Sequence, residues 1–220
     1  MLGKGRWLLL VLLAVASGCA TTPRVPVLPD QVAAIWNERQ ARLQTLEAWR
    51  LNARVGVRTS QRGGSATLLW QRSPSAQKIE LQGPLGGGRV RITVDASGAV
   101  LEDTEGKVLR GRDASDLLRR RLGWEVPFDS LASWIRGLPG AEATATEIDD
   151  QGLLRQARVE GWQVEILDYR RQGPDLLPRS LRITALPGAV KIYADDGKHL
   201  GDELQVKLIV KTWQELVFSG

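Results

Sequence analysis

The stretch WRLNARVGVR, residues 49–58, decides the fold because its apolar and polar residues alternate strictly. The intervening polar positions are mostly arginine. A period of two with one apolar and one charged face predicts a β-strand that is buried on one side only. The apolar positions of this strand are Trp49, Leu51, Ala53, Val55 and Val57.

The same alternation recurs downstream between Gly and Pro turns, which predicts a meander of about six antiparallel strands from Trp49 to Arg110. Before it, Asp30 is a good N-cap and Gln31–Trp49 has helical spacing. Two short helices are predicted at Ala114–Leu122 and Ser130–Gly137. Strands then resume near residues 144–149, 154–160, 163–169, 180–185, 190–193 and 204–213.

Many consecutive hairpins with one apolar face must close on themselves or be covered. Three helices are available as a cover, so the predicted fold class is α+β, a curved antiparallel sheet with helices against its concave side. Such an arrangement either encloses an apolar cavity or fills its interior as a packed core. Periodicity alone leaves both alternatives open.

The N-terminal segment has the order of a secretory signal. Lys4 and Arg6 are followed by the apolar run Trp7–Val15, three small residues and Cys19. The run is too short to span a bilayer, which needs about 20 residues. A cysteine directly after small residues resembles a bacterial lipobox, although Ala16 stands where Leu is usual. We therefore predict a lipoprotein signal peptide at 1–18, a lipidated tether at 19–30 and a single domain at 31–220. The alternative is an ordinary signal with a chance cysteine.

The composition excludes several kinds of chemistry. The chain has 220 residues, 43% of them hydrophobic, with one cysteine and one histidine, His199. A disulfide within the chain and a Cys-rich zinc site are therefore excluded. The predicted lipid anchor uses the single thiol, so a Cys/His catalytic pair is not expected either, and we expect no metal and no cofactor. The formal charge of +5 falls to +3 once Lys4 and Arg6 leave with the signal, which disfavours nucleic acid as a partner. The sequence also lacks a G-x-S-x-G motif, so an enzyme is not expected.

The most informative loop is Gly83–Gly88, with the sequence GPLGGG. It joins two predicted strands and lacks the glycine patterns of nucleotide-binding loops. Leu85 is its only large apolar residue, and exposure of a leucine costs about 1.5–3 kcal/mol relative to burial. On a protein tethered to a membrane, such a leucine can dip into lipid.

Several landmarks, in order, resemble the LolB family of outer-membrane lipoprotein receptors. They cover nearly the whole mature chain, and the combination is more specific than any one of them. They are Cys19, Leu46-x-x-Trp49 with Arg54 and Gly56, Leu69-Trp70-Gln71, Pro84-Leu85-Gly86, Leu131-x-x-Trp134-Ile135-x-Gly137-Leu138-Pro139-Gly140, Leu177-Pro178 and Ile209-x-x-x-Trp213.

The resemblance implies a half-barrel with a helical lid over a hydrophobic cavity. It implies a monomer on the periplasmic face of the outer membrane that accepts acylated lipoproteins from the carrier LolA and inserts them into that membrane. The alternative is an envelope lipoprotein that binds another apolar ligand or has a structural role. The stretch 188–205 departs from the family pattern and predicts an extra hairpin.

The resemblance also implies roles for individual residues. Leu85, flanked by Pro84 and Gly86, matches the leucine that promotes membrane insertion. Candidate acyl-chain contacts are Leu51, Val55, Leu68, Trp70, Ile79, Leu81, Val90 and Ile92 from the sheet, with Leu131, Trp134 and Ile135 from the lid.

Overall fold

An eleven-stranded antiparallel sheet forms the body of the protein. The computed structural model describes residues 29–84, 88–122, 127–159, 161–193 and 199–219. The helices are α1 (Pro29–Gln44), α2 (Ala114–Leu122) and α3 (Phe128–Trp134). The strands are β1 (Leu46–Thr59), β2 (Gly63–Arg72), β3 (Gln77–Gln82), β4 (Arg89–Asp95), β5 (Gly98–Asp103), β6 (Val108–Gly111), β7 (Ala145–Ile148), β8 (Leu154–Val159), β9 (Trp162–Gln172), β10 (Asp175–Ala185), β11 (Ile192–Tyr193), β12 (His199–Gly201) and β13 (Leu204–Phe218).

The strand order places the first and last strands side by side in the middle of the sheet. The order is β6-β5-β4-β3-β2-β1-β13-β10-β9-β8-β7, so β1 and β13 are neighbours and β6 and β7 are the edges. The chain passes from one edge to the other through α2 and α3. The helix pair therefore crosses the concave face and covers it.

The apolar face of each strand turns toward the helices. In β1, Trp49, Leu51 and Ala53 are almost fully buried, whereas Arg54 and Arg58 are exposed on the convex side. The register between β1 and β2 places Leu51 opposite Trp70. The concave side is thus the interior, as the alternating pattern predicts.

A chain of aromatic contacts ties the lid to the sheet. Trp49 packs edge to face against Trp70, with ring centroids 5.1 Å apart, and against Trp213 at 5.5 Å. Trp70 contacts Phe128 of α3 at 5.1 Å. Trp134, at the other end of α3, donates from Nε1 to the main-chain oxygen of Pro139 at 2.9 Å.

Helix α1 is held against the hairpin that joins β9 and β10. Arg42 forms an ion pair with buried Asp175 at 2.5 Å, and Arg39 donates to the main-chain oxygen of Leu176. The guanidinium of Arg39 lies over the ring of Tyr169, 5.7 Å from its centroid. Burial raises the pKa of Tyr169, whose hydroxyl donates to the main-chain oxygen of Leu154 at 2.7 Å.

The predicted meander is confirmed, with six strands between residues 46 and 111, and so is the helix Ala114–Leu122. The predicted end of the first helix at Trp49 is wrong. Helix α1 ends at Gln44 because Leu46 already pairs with Phe218 of β13. The same helix begins at Pro29, so the last two residues of the predicted tether are helical.

The second lid helix is also displaced from its predicted position. It spans Phe128–Trp134 rather than 130–137, and Gly137, with φ of 83°, lies in the turn after it. The amide of Leu138 then donates to the main-chain oxygen of Ser133 at 3.0 Å, which reverses the chain. No helix within the described ranges is both long and apolar enough to cross a bilayer.

The stretch 188–205 contains the extra hairpin that the sequence predicts. Strands β11 and β12 form a separate two-stranded sheet, in which Ile192 pairs with Gly201. Val190 and Ile192 are buried, so the base of the hairpin belongs to the core.

Candidate lipid-binding cavity

An apolar cavity of about 490 Å³ lies between the concave face of the sheet and the lid helices. Leu118 of α2 and Phe128 and Leu131 of α3 form its helical wall. Val206 and Leu208 of β13 contribute to the opposite wall. This volume falls within the range of small-molecule sites, roughly 300–1,000 Å³.

The cavity exists because the inward-facing side chains become smaller toward one end of the sheet. Along β2 the inward series runs from Trp70 through Leu68 and Ala66 to Gly64. Each faces a residue of β1, and Ala66 lies opposite Val55. The tryptophan end of the strands reaches the lid and packs against it, whereas the small end leaves the space open. One sheet face therefore carries both a packed core and a cavity.

The cavity opens at the hairpin tips. Its rim includes Arg62 between β1 and β2, Gly63 and Gly64 at the start of β2, and Gly83 and Gly88 between β3 and β4. The amide of Gly83 donates to the main-chain oxygen of Gly88 at 3.0 Å and closes the base of the second tip. Small residues at these positions leave the mouth wide.

The predicted acyl-chain residues fall into two groups. Those that line the cavity are Val55, Leu68, Leu81, Val90 and Leu131. Those that lie in the packed core, with an exposed fraction of 1% or less, are Leu51, Trp70, Ile79, Ile92, Trp134 and Ile135. The core group packs next to the cavity but does not line it.

The remaining predicted site residues lie mostly outside the described part of the chain. This applies to Cys19, Leu85 and Gly86. Pro84 is described, is exposed, and lies beside the cavity rim at the end of β3.

Sequence reasoning missed several residues that line the cavity. Val57 and Ala66 belong to alternating faces that were already recognised, and Val206 and Leu208 continue the same pattern in β13. Periodicity could have identified these four. Phe128 carried no periodic signal, because it occupies the first position of a short helix.

A half-buried arginine anchors the end of the lid. Arg136 donates to three main-chain oxygens, those of Ala132 at 3.0 Å, Leu46 at 3.3 Å and Leu43 at 3.4 Å. Burial lowers its pKa to about 10. These bonds join the C-terminal end of α3 to the junction between α1 and β1.

The polar side chains that are best suited to catalysis or metal binding lie apart from the cavity. Nε2 of His199 lies 2.7 Å from Oδ1 of Asp202, and both side chains are about half exposed. Asp149 accepts the amides of Gln151 and Leu153 at 2.9 Å, which is the geometry of a capped turn. In the parts of the chain that are described, no three His, Cys, Asp or Glu side chains converge on a metal position.

An open antiparallel sheet under a helical lid, with an apolar cavity between them, defines a half-barrel fold. The solved structure of a LolA superfamily protein from Nitrosomonas europaea has this fold, with a TM-score of 0.50 at 10% identity over 86% of this chain and 97% of that chain. The family described as outer membrane lipoprotein LolB matches residues 47–213.

Curated relatives agree with the family match. The outer-membrane lipoprotein LolB of Chromohalobacter salexigens is 35% identical over 96% of this chain and 90% of its own length. That of Pseudomonas syringae pv. syringae is 33% identical over 92% of both chains. The chain belongs to the LolB family of outer-membrane lipoproteins.

Proposed function

We propose that this protein accepts acylated lipoproteins from the periplasmic carrier LolA, shelters their acyl chains in its cavity and inserts them into the outer membrane. Cys19 carries the lipid anchor that holds the protein at the periplasmic face of that membrane. The observation that carries the proposal is an apolar cavity that opens at the hairpin tip bearing Pro84.

The physical problem in this reaction is the exposure of acyl chains to water. Each methylene that leaves an apolar environment costs about 0.8 kcal/mol, so the free passage of several long chains would be prohibitively slow. Two cavities placed mouth to mouth avoid this cost. The small residues of the rim, Gly63, Gly64, Gly83 and Gly88, allow a partner to approach the opening closely.

The direct test measures transfer of an acylated lipoprotein from LolA to a soluble mature form of this protein in which Cys19 is replaced (C19A). We expect the acylated lipoprotein to move from the carrier to this protein without nucleotide and without a membrane. A failure of transfer would favour the alternative, an envelope lipoprotein that binds another apolar ligand.

Filling the cavity should block acceptance. Ala66→Phe adds a ring to the cavity wall opposite Val55, so we expect transfer to C19A protein to fall at least about tenfold, because a ring displaces several methylenes of bound chain. Thr67→Phe is the matched control, since Thr67 is the next residue of β2 and is exposed on the convex face. Equal transfer by both variants would place the acyl chains elsewhere.

A further inference from the structure

We propose that a cationic surface on the convex side of the sheet binds anionic phospholipid headgroups and directs the hairpin tip of β3 and β4 toward the membrane. We call Arg54, Arg58, Arg89 and Lys207 the convex cation cluster. The inference rests on the proposed insertion step and names the class of lipid that this step uses.

Strand register brings the cluster together. Arg54 lies opposite Thr67, Thr67 opposite Gln82 and Gln82 opposite Arg89, so the two arginines occupy one row across four strands. Neighbouring strands are about 4.8 Å apart, which places Arg54 and Arg89 roughly 14 Å from each other along this row.

The other two members lie beside the same row. Lys207 of β13 faces Gly56, which stands between Arg54 and Arg58 on the convex face. Gly56 has no side chain to separate the three cations. The Lys207 backbone lies about 8 Å from that of each arginine, within one screening length of roughly 8–10 Å, whereas Arg54 and Arg58 are about 14 Å apart along β1.

None of the four cations forms an ion pair with a carboxylate among the described residues. The polar contact of the Arg54 side chain is a long one, from Nη2 to Oγ of Ser65 at 3.5 Å. Other cations on the same sheet are neutralised, as in Arg91 with Glu80 at 3.2 Å and Arg182 with Glu165 at 2.8 Å.

This contrast distinguishes the cluster from the arginines of the lid. Arg119 and Arg120 both pair with Asp116, at 2.7 and 3.0 Å. Unpaired like charges in one place reduce the stability of the folded state through self-repulsion, and an external anion relieves that repulsion.

The position of the cluster selects a membrane as the partner. Arg54 borders a shallow depression that is also lined by Gly83 and Pro84, so the cations adjoin the hairpin tip. They lie on the convex face, opposite the cavity. A headgroup layer under the tip contacts both Pro84 and the arginines. Guanidinium groups bind phosphate oxygens in pairs, which suits phospholipid headgroups.

The experiment measures binding of C19A protein to vesicles of phosphatidylcholine and to vesicles that also contain phosphatidylglycerol. Each basic residue near an anionic surface strengthens binding about fivefold. The double variant Arg54→Gln/Arg58→Gln should therefore weaken binding to the anionic vesicles by roughly 10- to 30-fold. Added salt should weaken binding of the unmodified chain in the same direction.

The matched control is Arg170→Gln/Arg171→Gln, which removes the same charge near the opposite end of the sheet. Its binding should stay close to that of the unmodified chain. Equal binding to both kinds of vesicle, or equal losses in both double variants, would overturn the proposal.

Two further outcomes separate this proposal from the proposed function. If the Arg54/Arg58 variant bound vesicles normally but accepted lipoprotein from LolA poorly, the cluster would be a protein-docking surface and the lipid proposal would be wrong. If C19A protein accepted no lipoprotein but bound anionic vesicles through the cluster, the proposed function would be wrong and the proposed headgroup-binding surface would still be supported.

Discussion

At the scale of single residues, we propose that Leu85 promotes the insertion step. It stands among Gly and Pro residues that have little side chain to shield it from water. Transfer of a leucine side chain from water into lipid gains about 1.5–3 kcal/mol. This gain is available only at a membrane and therefore favours insertion without strengthening acyl-chain binding in solution.

Leu85→Glu should slow insertion while acceptance from LolA stays normal, because a carboxylate resists transfer into lipid. The measurement is the rate at which loaded C19A protein delivers a lipoprotein to vesicles. Leu69→Glu is the control, since Leu69 is 44% exposed on the convex face. Delivery by L85E protein at the normal rate would show that Leu85 does not promote insertion.

The burial of Arg136 and Asp175 could not be predicted from the sequence. Both are charged residues with much of the side chain inside the fold, and Asp175 is only 5% exposed. Their partners lie far away in the chain, at Leu43, Leu46 and Arg42. No local pattern marks them, because burial of a charge depends on the arrival of distant acceptors and counter-charges.

At the scale of elements, α2 shows how one side chain sets the start of a helix. Oδ1 of Asp113 accepts the amide of Asp116 at 2.8 Å, as the residue preceding a helix commonly does. This hydrogen bond, together with the Arg112 guanidinium, holds the pKa of Asp113 below its usual range. The cap positions Leu118, which lines the cavity.

Asp113→Ala should lower the free energy of unfolding by about 1 kcal/mol at neutral pH. Because the folded-state pKa is lowered, the stability from ionised Asp113 is complete above its unfolded-state pKa and is lost as pH falls through the folded value. In urea denaturation at several acidic pH values, the difference in free energy of unfolding between D113A and the unmodified chain should therefore become smaller as pH falls. Asp129→Ala is the control, since Asp129 lies in the first turn of α3 and is exposed. An equal loss of unfolding free energy in D129A would contradict the role of Asp113 as the cap of α2.

Element boundaries were predicted well where the hydrophobic period was unambiguous, as in α2 and the first six strands. The error at the end of α1 arose because Leu43, Leu46 and Trp49 recur every three residues, as in a helix, while irregular pairing with β13 at the start of β1 breaks the period of two. Pairing with β13, more than 150 residues away, resolves it. The cavity and the core share one face of the sheet, so a period of two could not separate Val55 from Leu51.

At the scale of the whole molecule, the lid and the sheet share one hydrophobic core. Phe128, Leu131 and Trp134 of the lid belong to the same cluster as Trp49 and the inner residues of the strands. A lid that is built into the core in this way cannot unfold as a separate unit without exposing the tryptophan cluster.

We therefore expect a single cooperative unfolding transition. Circular dichroism reports the sheet, and tryptophan fluorescence reports the packing around all the tryptophans, including Trp70 against Phe128 of the lid. The two signals should change at the same urea concentration. An earlier fluorescence change would show that the lid opens independently of the sheet.

The lengths of the strands affect how copies of this protein interact with one another on a membrane surface. The central strands β1 and β13 have 14 and 15 residues, whereas the edge strands β6 and β7 have four each. Copies confined to a surface meet far more often than copies in bulk solution. Short edges offer few unpaired amides to a neighbouring copy, so this arrangement protects a crowded protein against strand-to-strand aggregation.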